Sequence, residues 1–280
     1  MNVITQQLLT GERAIFQHHD TRLEHCTFAD GESPVKECSN IELKNCIFKW
    51  MYPIWYGEHI KMENCTVFEA GRAGIWYVDD ITVNNSTIEA PKCIRRSSHI
   101  VLNNVTFPNG AETLWFCDGV TMNNVMAKGD YFAMNSKNLK IDGFHLTGKY
   151  SFDGVENVEI HNARMVTKDV FWNSKNVTVY DSTIIGEYLG WNSENLTFVN
   201  CTIDSLQGLC RIKNLVLKNC RLLNTTLAFE YCEDIDAQVE GKIDSVFNPG
   251  SGIIRADEIG EKILEADKID PAKTQIITAK

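Results

Sequence analysis

An apolar residue returns along this chain at spacings of 19 to 21 residues: Ile41, Ile60, Ile81, Ile100, Val120, Leu139, Val158, Val177, Leu196, Leu215 and Ile235. The copies agree at more than one position. Asn176-Val-Thr-Val-Tyr-Asp-Ser-Thr-Ile is followed 19 residues later by Asn195-Leu-Thr-Phe-Val-Asn-Cys-Thr-Ile. An earlier copy around Leu23, Cys26 and Phe28 fits with a shift of one. Self-similarity at a short fixed period means that each copy is a unit too small to bury its own apolar face, so the units must stack.

Within a copy the apolar period is two, not 3.6. Leu43, Val83, Ile141, Val179 and Leu217 each stand two residues after the opening position, with mostly Glu, Lys and Thr between. That alternation, rich in β-branched residues, predicts a short half-buried strand. Asn brackets it: Asn40, Asn138, Asn176, Asn195 and Asn214 before, Asn45, Asn64, Asn85, Asn104 and Asn200 after. Asn tolerates the left-handed conformation and suits corners. A second apolar column follows (Phe48, Val67, Ile88, Phe107, Ile184), and a third precedes the next copy (Ile54, Ile75, Ile94, Leu114, Phe171). Three strands per turn, with no Leu-x-x-Leu-x-Leu frame and no helical return, predict an all-β, single right-handed parallel β-helix of roughly a dozen coils. Residues 1–20 are expected to form an N-terminal cap and first coil, with Met1–Gly11 covering the end. Residues 21–243 form the regular coils, and residues 244–280 hold divergent coils, a capping helix over "DEIGEKILEA", or both.

The formal net charge of −10 excludes a nucleic-acid backbone as the main partner, because phosphate contacts need a basic surface. No run of 18 apolar residues suggests a membrane span, and "MNVITQQLLTGERAIF" lacks a secretory pattern, so a cytoplasmic location is expected. Of the ten cysteines, Cys26, Cys46, Cys65, Cys201 and Cys220 share one repeat position with Ser86, Ala163 and Ser182. They read as reduced, buried small residues rather than a disulfide framework. The Asn-x-Thr triplets at Asn64, Asn85, Asn104, Asn176, Asn195 and Asn200 fall at corners and read as structural. No Cys/His spacing suggests a metal, and no cofactor is implied.

One segment of each copy departs from the scaffold: "GRAGIWYVDD", "AETLWFCDG", "KDVFWNSKN", "GEYLGWNSEN". Five residues ahead of the opening position stand Trp55, Trp76, Arg95, Trp115, Met134, Asp153, Trp172 and Trp191. A column that accepts Arg and Asp faces outward, which puts five of the six tryptophans in one outer row. Just upstream run Arg72, Lys92, Glu112, Asp130, Lys168, Asp169 and Glu187, with Tyr131, Tyr150 and Tyr188 interleaved. Exposed aromatics beside charges mark a binding face, suited to a carbohydrate or an acidic small molecule. The expected ligand-binding residues are Arg72, Trp76, Arg95, Arg96, Glu112, Trp115, Tyr131, Trp172, Tyr188 and Trp191. Candidate catalytic carboxylates are Asp130, Asp153, Asp169 and Glu187, since glycoside cleavage needs two carboxyls a short distance apart.

With its coils, Asn corners and outward face, the chain resembles the right-handed parallel β-helix, pectin-lyase-like superfamily. On "GESP", "YPIWY", "RAGIWY", "GDYF", "FWNSKNVTVYDS" and "GEYLGWNS" it resembles more closely a bacterial family of uncharacterised β-helix proteins. The superfamily resemblance implies sites on an outer face of the helix and a polysaccharide lyase or glycoside hydrolase. Its motifs transfer poorly: Asp79-Asp80 and Arg211-Ile212-Lys213 are present, but the Asn-Thr-Asp and Gly-His-Gly of polygalacturonases are not. Two classes of function follow, a carbohydrate-active enzyme and a non-catalytic scaffolding or protein-interaction solenoid. Fold alone does not choose between them.

Overall fold

A computed structural model describes residues 1–279. The chain is an all-β, right-handed parallel β-helix of about 15 turns. It falls into two compact units, Met1–His145 and Leu146–Lys280.

In the first unit a coil has the three short strands its sequence implies. Ile54–Trp55, Glu58–Glu63 and Thr66–Val67 make one coil; Ile75–Trp76, Asp79–Asn84 and Thr87–Ile88 make the next. Pairing is parallel and in register, Ile60 with Ile81 and Ile81 with Ile100, so like residues stack in columns. The inward columns are fully buried, including Ile54, Ile75, Ile94 and Leu114. Phe28 and Phe48 stack with ring centroids 4.6 Å apart. Each such side chain taken from water is worth roughly 1.5–3 kcal/mol, which is what holds one coil on the next.

The second unit repeats the long-strand columns: Lys175–Tyr180 pairs with Glu194–Val199, and Arg164–Lys168 with Thr183–Glu187, which pairs in turn with Thr202–Leu206. Its third side is made of turns at 151–154, 170–173 and 189–192 instead of strand. These turns bend through left-handed residues such as Phe171 (φ 61°) and Gly190 (φ 73°).

Corner chemistry follows the Asn columns. Asn176 and Asn195 have φ 55° and 59°, and their amides form a ladder: Asn195 Nδ2 donates to Asn176 Oδ1 at 2.8 Å, and Asn214 Nδ2 to Asn195 Oδ1 at 2.8 Å. The ladder satisfies side chains that the corner conformation already selects. All ten cysteines are buried and unpaired. Their thiols donate across the stack, as Cys46 Sγ does to Leu23 O at 3.4 Å, while Ser86 Oγ in the same column accepts from Cys65 N at 2.9 Å. The column also holds Val105, Val125 and Phe144, so it is less strictly small than the cysteines suggest.

At both ends the structure continues in coils, and of the alternatives for residues 244–280 only the capping helix is absent. Met1–Gly11 lies on the second coil as the first: Asn2–Thr5 and Leu8–Thr10 pair with His19–Glu24 and Thr27–Ala29. The segment containing "DEIGEKILEA" is not a helix. Gly252–Ile263 is a strand laid on Glu233–Phe247, with Ile254 and Ala256 buried in alternation. A Cβ at Gly260 would lie 2.5 Å from Asp244 O, so the close approach of these strands suits that residue. Stacking of alternate apolar residues outweighs a helix propensity that nothing else supports.

Candidate functional site

The Trp row stands on the outer surface, half-buried, one residue out of phase with the buried Ile column. In the first unit it forms a closed ladder. Trp55 and Trp76 stack at 5.4 Å with planes 4° apart. Arg95 then takes the place of a Trp, its guanidinium 5.4 Å from the Trp76 centroid and 4.2 Å from that of Trp115. Each member also donates to a carbonyl of the next coil: Trp76 Nε1 to Lys92 O (2.9 Å), Arg95 Nε to Glu112 O (3.2 Å), Trp115 Nε1 to Tyr131 O (2.5 Å). Glu112 closes the arrangement by pairing with Arg95 at 2.6 Å and Lys92 at 3.4 Å. The faces expected to be open to a ligand are thus stacked on one another, and only ring rims meet solvent. Beside this ladder, Tyr56 stacks on Tyr77 at 4.8 Å and Arg96 lies over Phe116 at 5.1 Å. Arg72 touches Met51 Sδ at 3.7 Å.

The second unit uses the same column differently. Trp172 Nε1 donates to Tyr188 O at 2.7 Å, as the column requires, but the rings of Trp172 and Trp191 are 6.0 Å apart and splayed by 35°. Tyr150 meets Trp172 edge-on at 6.0 Å. Arg211 covers the Trp191 face at 5.0 Å and the Tyr231 face at 5.0 Å. The splay borders a cleft of about 400 Å³ lined by Tyr150, Lys168, Asp169, Trp172, Glu187, Tyr188 and Trp191. That volume lies within the range of small-molecule sites.

Backbone geometry brings the two carboxylates of this cleft together. Arg164–Lys168 and Thr183–Glu187 are neighbouring strands, and Asp169 N donates to Glu187 O at 2.9 Å. The approach is close: a Cβ at Gly186 would lie 1.9 Å from Thr167 O, so only glycine fits there. Lys168 Nζ pairs with Glu187 Oε2 at 2.8 Å, and that bond holds the Lys168 ammonium above its ordinary range. Asp169 is 8% exposed, and its carboxyl has no hydrogen-bond partner among the described residues. Burial pushes this carboxyl up; Lys168 opposes the rise, Glu187 adds to it, and Lys149 opposes it again. A carboxyl raised above its ordinary value therefore stands beside one held as the partner of an ammonium.

The candidate residues fall in two places. Asp169, Glu187, Trp172, Tyr188 and Trp191 meet in the cleft of the second unit. Asp153 belongs to the same unit but does not line the cleft. It accepts from Asn173 Nδ2 at 2.9 Å, at the foot of an Asn ladder that Asn192 continues. Arg72, Trp76, Arg95, Arg96, Glu112, Trp115, Asp130 and Tyr131 belong to the first unit. Asp79 and Asp80 serve surface ladders there: Asp79 accepts from Ser98 Oγ at 2.6 Å and faces His99 Nδ1 at 2.7 Å, and Asp80 faces His59 Nδ1 at 2.7 Å. A second hollow of about 260 Å³ adjoins the cleft, lined by Glu187, Tyr188, Leu206, Gln207 and Thr226. Sequence reasoning stopped at Trp191 and missed Leu206, Gln207 and Thr226. The available signal was the 19-residue register itself, which carries the column Tyr150, Asp169, Tyr188 one coil further to Gln207. Among the described residues no cluster of His, Cys, Asp and Glu is placed to hold a metal ion.

A parallel β-helix with an outer-face cleft is the class of protein that these features define. The chain belongs to the family described as "Protein of unknown function (DUF3737)", whose model matches residues 2–277. No curated protein matches it in sequence. Among solved structures, the chain is similar to the surface protein and adhesin PfbA of Streptococcus pneumoniae, with 9% identity, 99% of this chain and 90% of that one covered, and a TM-score of 0.40. It is also similar to the A-module of the Azotobacter vinelandii mannuronan C-5 epimerase AlgE4, at 8% identity, 98% and 87% coverage and a TM-score of 0.32. The tailspike of E. coli bacteriophage HK620 gives 10% identity, 92% and 62% coverage and a TM-score of 0.36. No residue role is transferred from any of them.

Proposed function

We propose that the cleft of the second unit binds a carbohydrate and hydrolyses a glycosidic bond, with Asp169 as general acid and Glu187 as the carboxylate partner. The observation that carries this reading is the meeting in one cleft of two carboxyls in different surroundings: Asp169, raised by desolvation on a residue only 8% exposed, and Glu187, ion-paired with Lys168 at 2.8 Å. Two carboxyls whose surroundings push them toward opposite protonation states are what acid–base cleavage of a glycoside requires. The Asp169 proton passes to the bridging oxygen as the C–O bond breaks. Glu187 stabilises or captures the anomeric carbon, or takes a proton from the attacking water, and water completes the two new hydroxyls. The rims of Trp172, Trp191, Tyr150 and Tyr188 supply apolar walls for sugar C–H groups and polar edges for hydroxyls. Lys168 fixes Glu187 in place through the 2.8 Å pair.

The test is release of reducing ends from a panel of soluble glycans by the wild-type chain and by Asp169→Asn. Turnover by the wild type that falls about 10²–10⁴-fold in the variant, with binding retained, supports the assignment. Equal rates in both remove Asp169 from the chemistry. Binding of a glycan by the wild type with no turnover of any sugar bound would leave the cleft a lectin-like site.

A further inference from the structure

The second hollow gives the site a direction, and the charges around it give the ligand a class. This inference rests on the reading of the cleft as a sugar site. The two hollows share Glu187 and Tyr188. Glu187 and Leu206 are register partners in neighbouring strands, so the second hollow lies one coil on from the first. The first is walled by aromatic rims, the second by the Leu206 side chain, the Gln207 amide and the Thr226 hydroxyl. Neither the Gln207 amide nor the Thr226 hydroxyl has a hydrogen-bond partner among the described residues. Both are neutral groups that can donate and accept, which matches a hydroxyl or an acetamido group rather than an anion.

Charge points the same way. The only charged side chains among the residues lining the two hollows are Lys168, Asp169 and Glu187. Lys168 is engaged by Glu187 at 2.8 Å, and Asp169 adds a carboxyl, not a cation, to the lining. Arg211 is held between Trp191 and Tyr231 and lines neither hollow. A sugar carboxylate or sulfate entering here would meet Glu187 and no unpaired cation, and a like charge without a partner in a confined site is rejected.

We propose that the site takes a neutral glycan chain of at least two sugar units laid across Glu187, one unit against Trp172 and Trp191 and the next against Leu206, Gln207 and Thr226. The bond to be broken then lies between the hollows, over the carboxyl pair, and Gln207 sets preference in the second.

Calorimetric titration of the full chain carrying Asp169→Asn, which blocks turnover, tests this with two ligand sets. One is neutral glucose- and N-acetylglucosamine-based oligosaccharides of two to six units; the other is galacturonate and mannuronate oligosaccharides of the same lengths. The expected result is binding within the neutral set alone, tightening about tenfold as the chain grows to fill both hollows. Adding Gln207→Ala should remove that gain and leave the shortest ligand unaffected. Tighter binding of uronates overturns this inference while leaving a sugar site in place. So does an affinity that ignores chain length or the Gln207 substitution. If neither set binds, the sugar reading itself falls, and this inference with it.

Discussion

Replacing Asp169 by asparagine separates a catalytic carboxyl from a structural one, because the two roles predict opposite signs for stability. The carboxyl is 8% exposed and unpaired by hydrogen bonds among the described residues. Its folded-state pKa lies above the ordinary carboxyl value, chiefly through burial. In that case the folded chain binds more protons than the unfolded chain between the two values, so stability falls as pH rises through this window. The full deficit persists above it. An unpaired buried polar group is penalised by roughly 1–3 kcal/mol. The positive charges of Lys168 and Lys149 offset part of this and the carboxyl lines the open cleft, so the deficit stays below about 1 kcal/mol. Asparagine keeps the shape and carries no charge to desolvate. Asp169→Asn is therefore expected to raise Tm by up to about 2–3 °C at pH 8, with the gain shrinking toward zero at about pH 3, below the ordinary carboxyl value, where both states are protonated. Scanning calorimetry of both proteins at the two pH values measures it, and the same preparations give the rate on glycans. A loss of stability on substitution at both pH values would mean that the carboxylate is an acceptor on which the fold depends, and the argument for a stored proton would collapse.

Three further outcomes follow from the same geometry. Trp172→Ala is expected to lose roughly 2–3 kcal/mol of stability together with ligand binding, because the half-buried indole packs against Tyr150 and Trp191 and donates to Tyr188 O; a Tm unchanged within error would show that the ring is not part of the ladder. The native protein should resist thiol alkylation at pH 8, since burial pushes Cys38 up to about 11 and Cys93, Cys117 and Cys232 up to about 12; mass spectrometry that finds Cys93 labelled before unfolding contradicts this. His99 should titrate above the ordinary histidine value because Asp79 bonds its imidazolium, and its contribution to stability is complete at low pH and lost as pH rises through that midpoint; NMR of Asp79→Asn should show the midpoint fall, and an unmoved midpoint rejects the pairing.

The fold was legible because a solenoid writes its architecture as a period. Ile60, Ile81 and Ile100 sit in register, as their spacing implied, and the Asn brackets mark the corners. The C-terminal end was legible only as alternatives, because there the period fades and local pattern has to decide alone. "DEIGEKILEA" carries a helix-like composition, yet the chain before it has already committed Ile254 and Ala256 to a strand. The outward Trp row was readable from the company of Arg95 and Asp153 in its column. Its ring orientation was not, since whether a face is free depends on what stacks above and below it. Trp55 and Trp76 are parallel within 4°, while Trp172 and Trp191 open by 35°, and nothing in the four local sequences announces the difference.

What the sequence did carry about the site lies in its corners. Every coil must turn through left-handed residues, and for a residue other than Gly, Asn or Asp that conformation costs roughly 1–2 kcal/mol. The scaffold corners answer with Asn. In the cleft the corresponding turn is made by Tyr150, Asp169, Tyr188 and Gln207, at φ 54°, 56°, 51° and 47°. Two tyrosines and a glutamine there are unfavourable locally. Asp169 suits the backbone but leaves its carboxyl buried and without a hydrogen bond. The same column departs from Asn throughout the helix, with Tyr52, Lys92, Glu112 and Tyr131 at φ 61°, 55°, 53° and 57°, and in the second unit its side chains stand where the Trp pair splays and the two hollows meet. Local strain and an unpaired polar group are tolerated where surrounding packing over-determines the backbone, and here the stacked apolar columns beneath the corner supply that support. A solenoid can hold such a site because its stability resides in inward columns that the corner side chains never enter. The positions least useful to the fold are in this way the ones free to carry its chemistry.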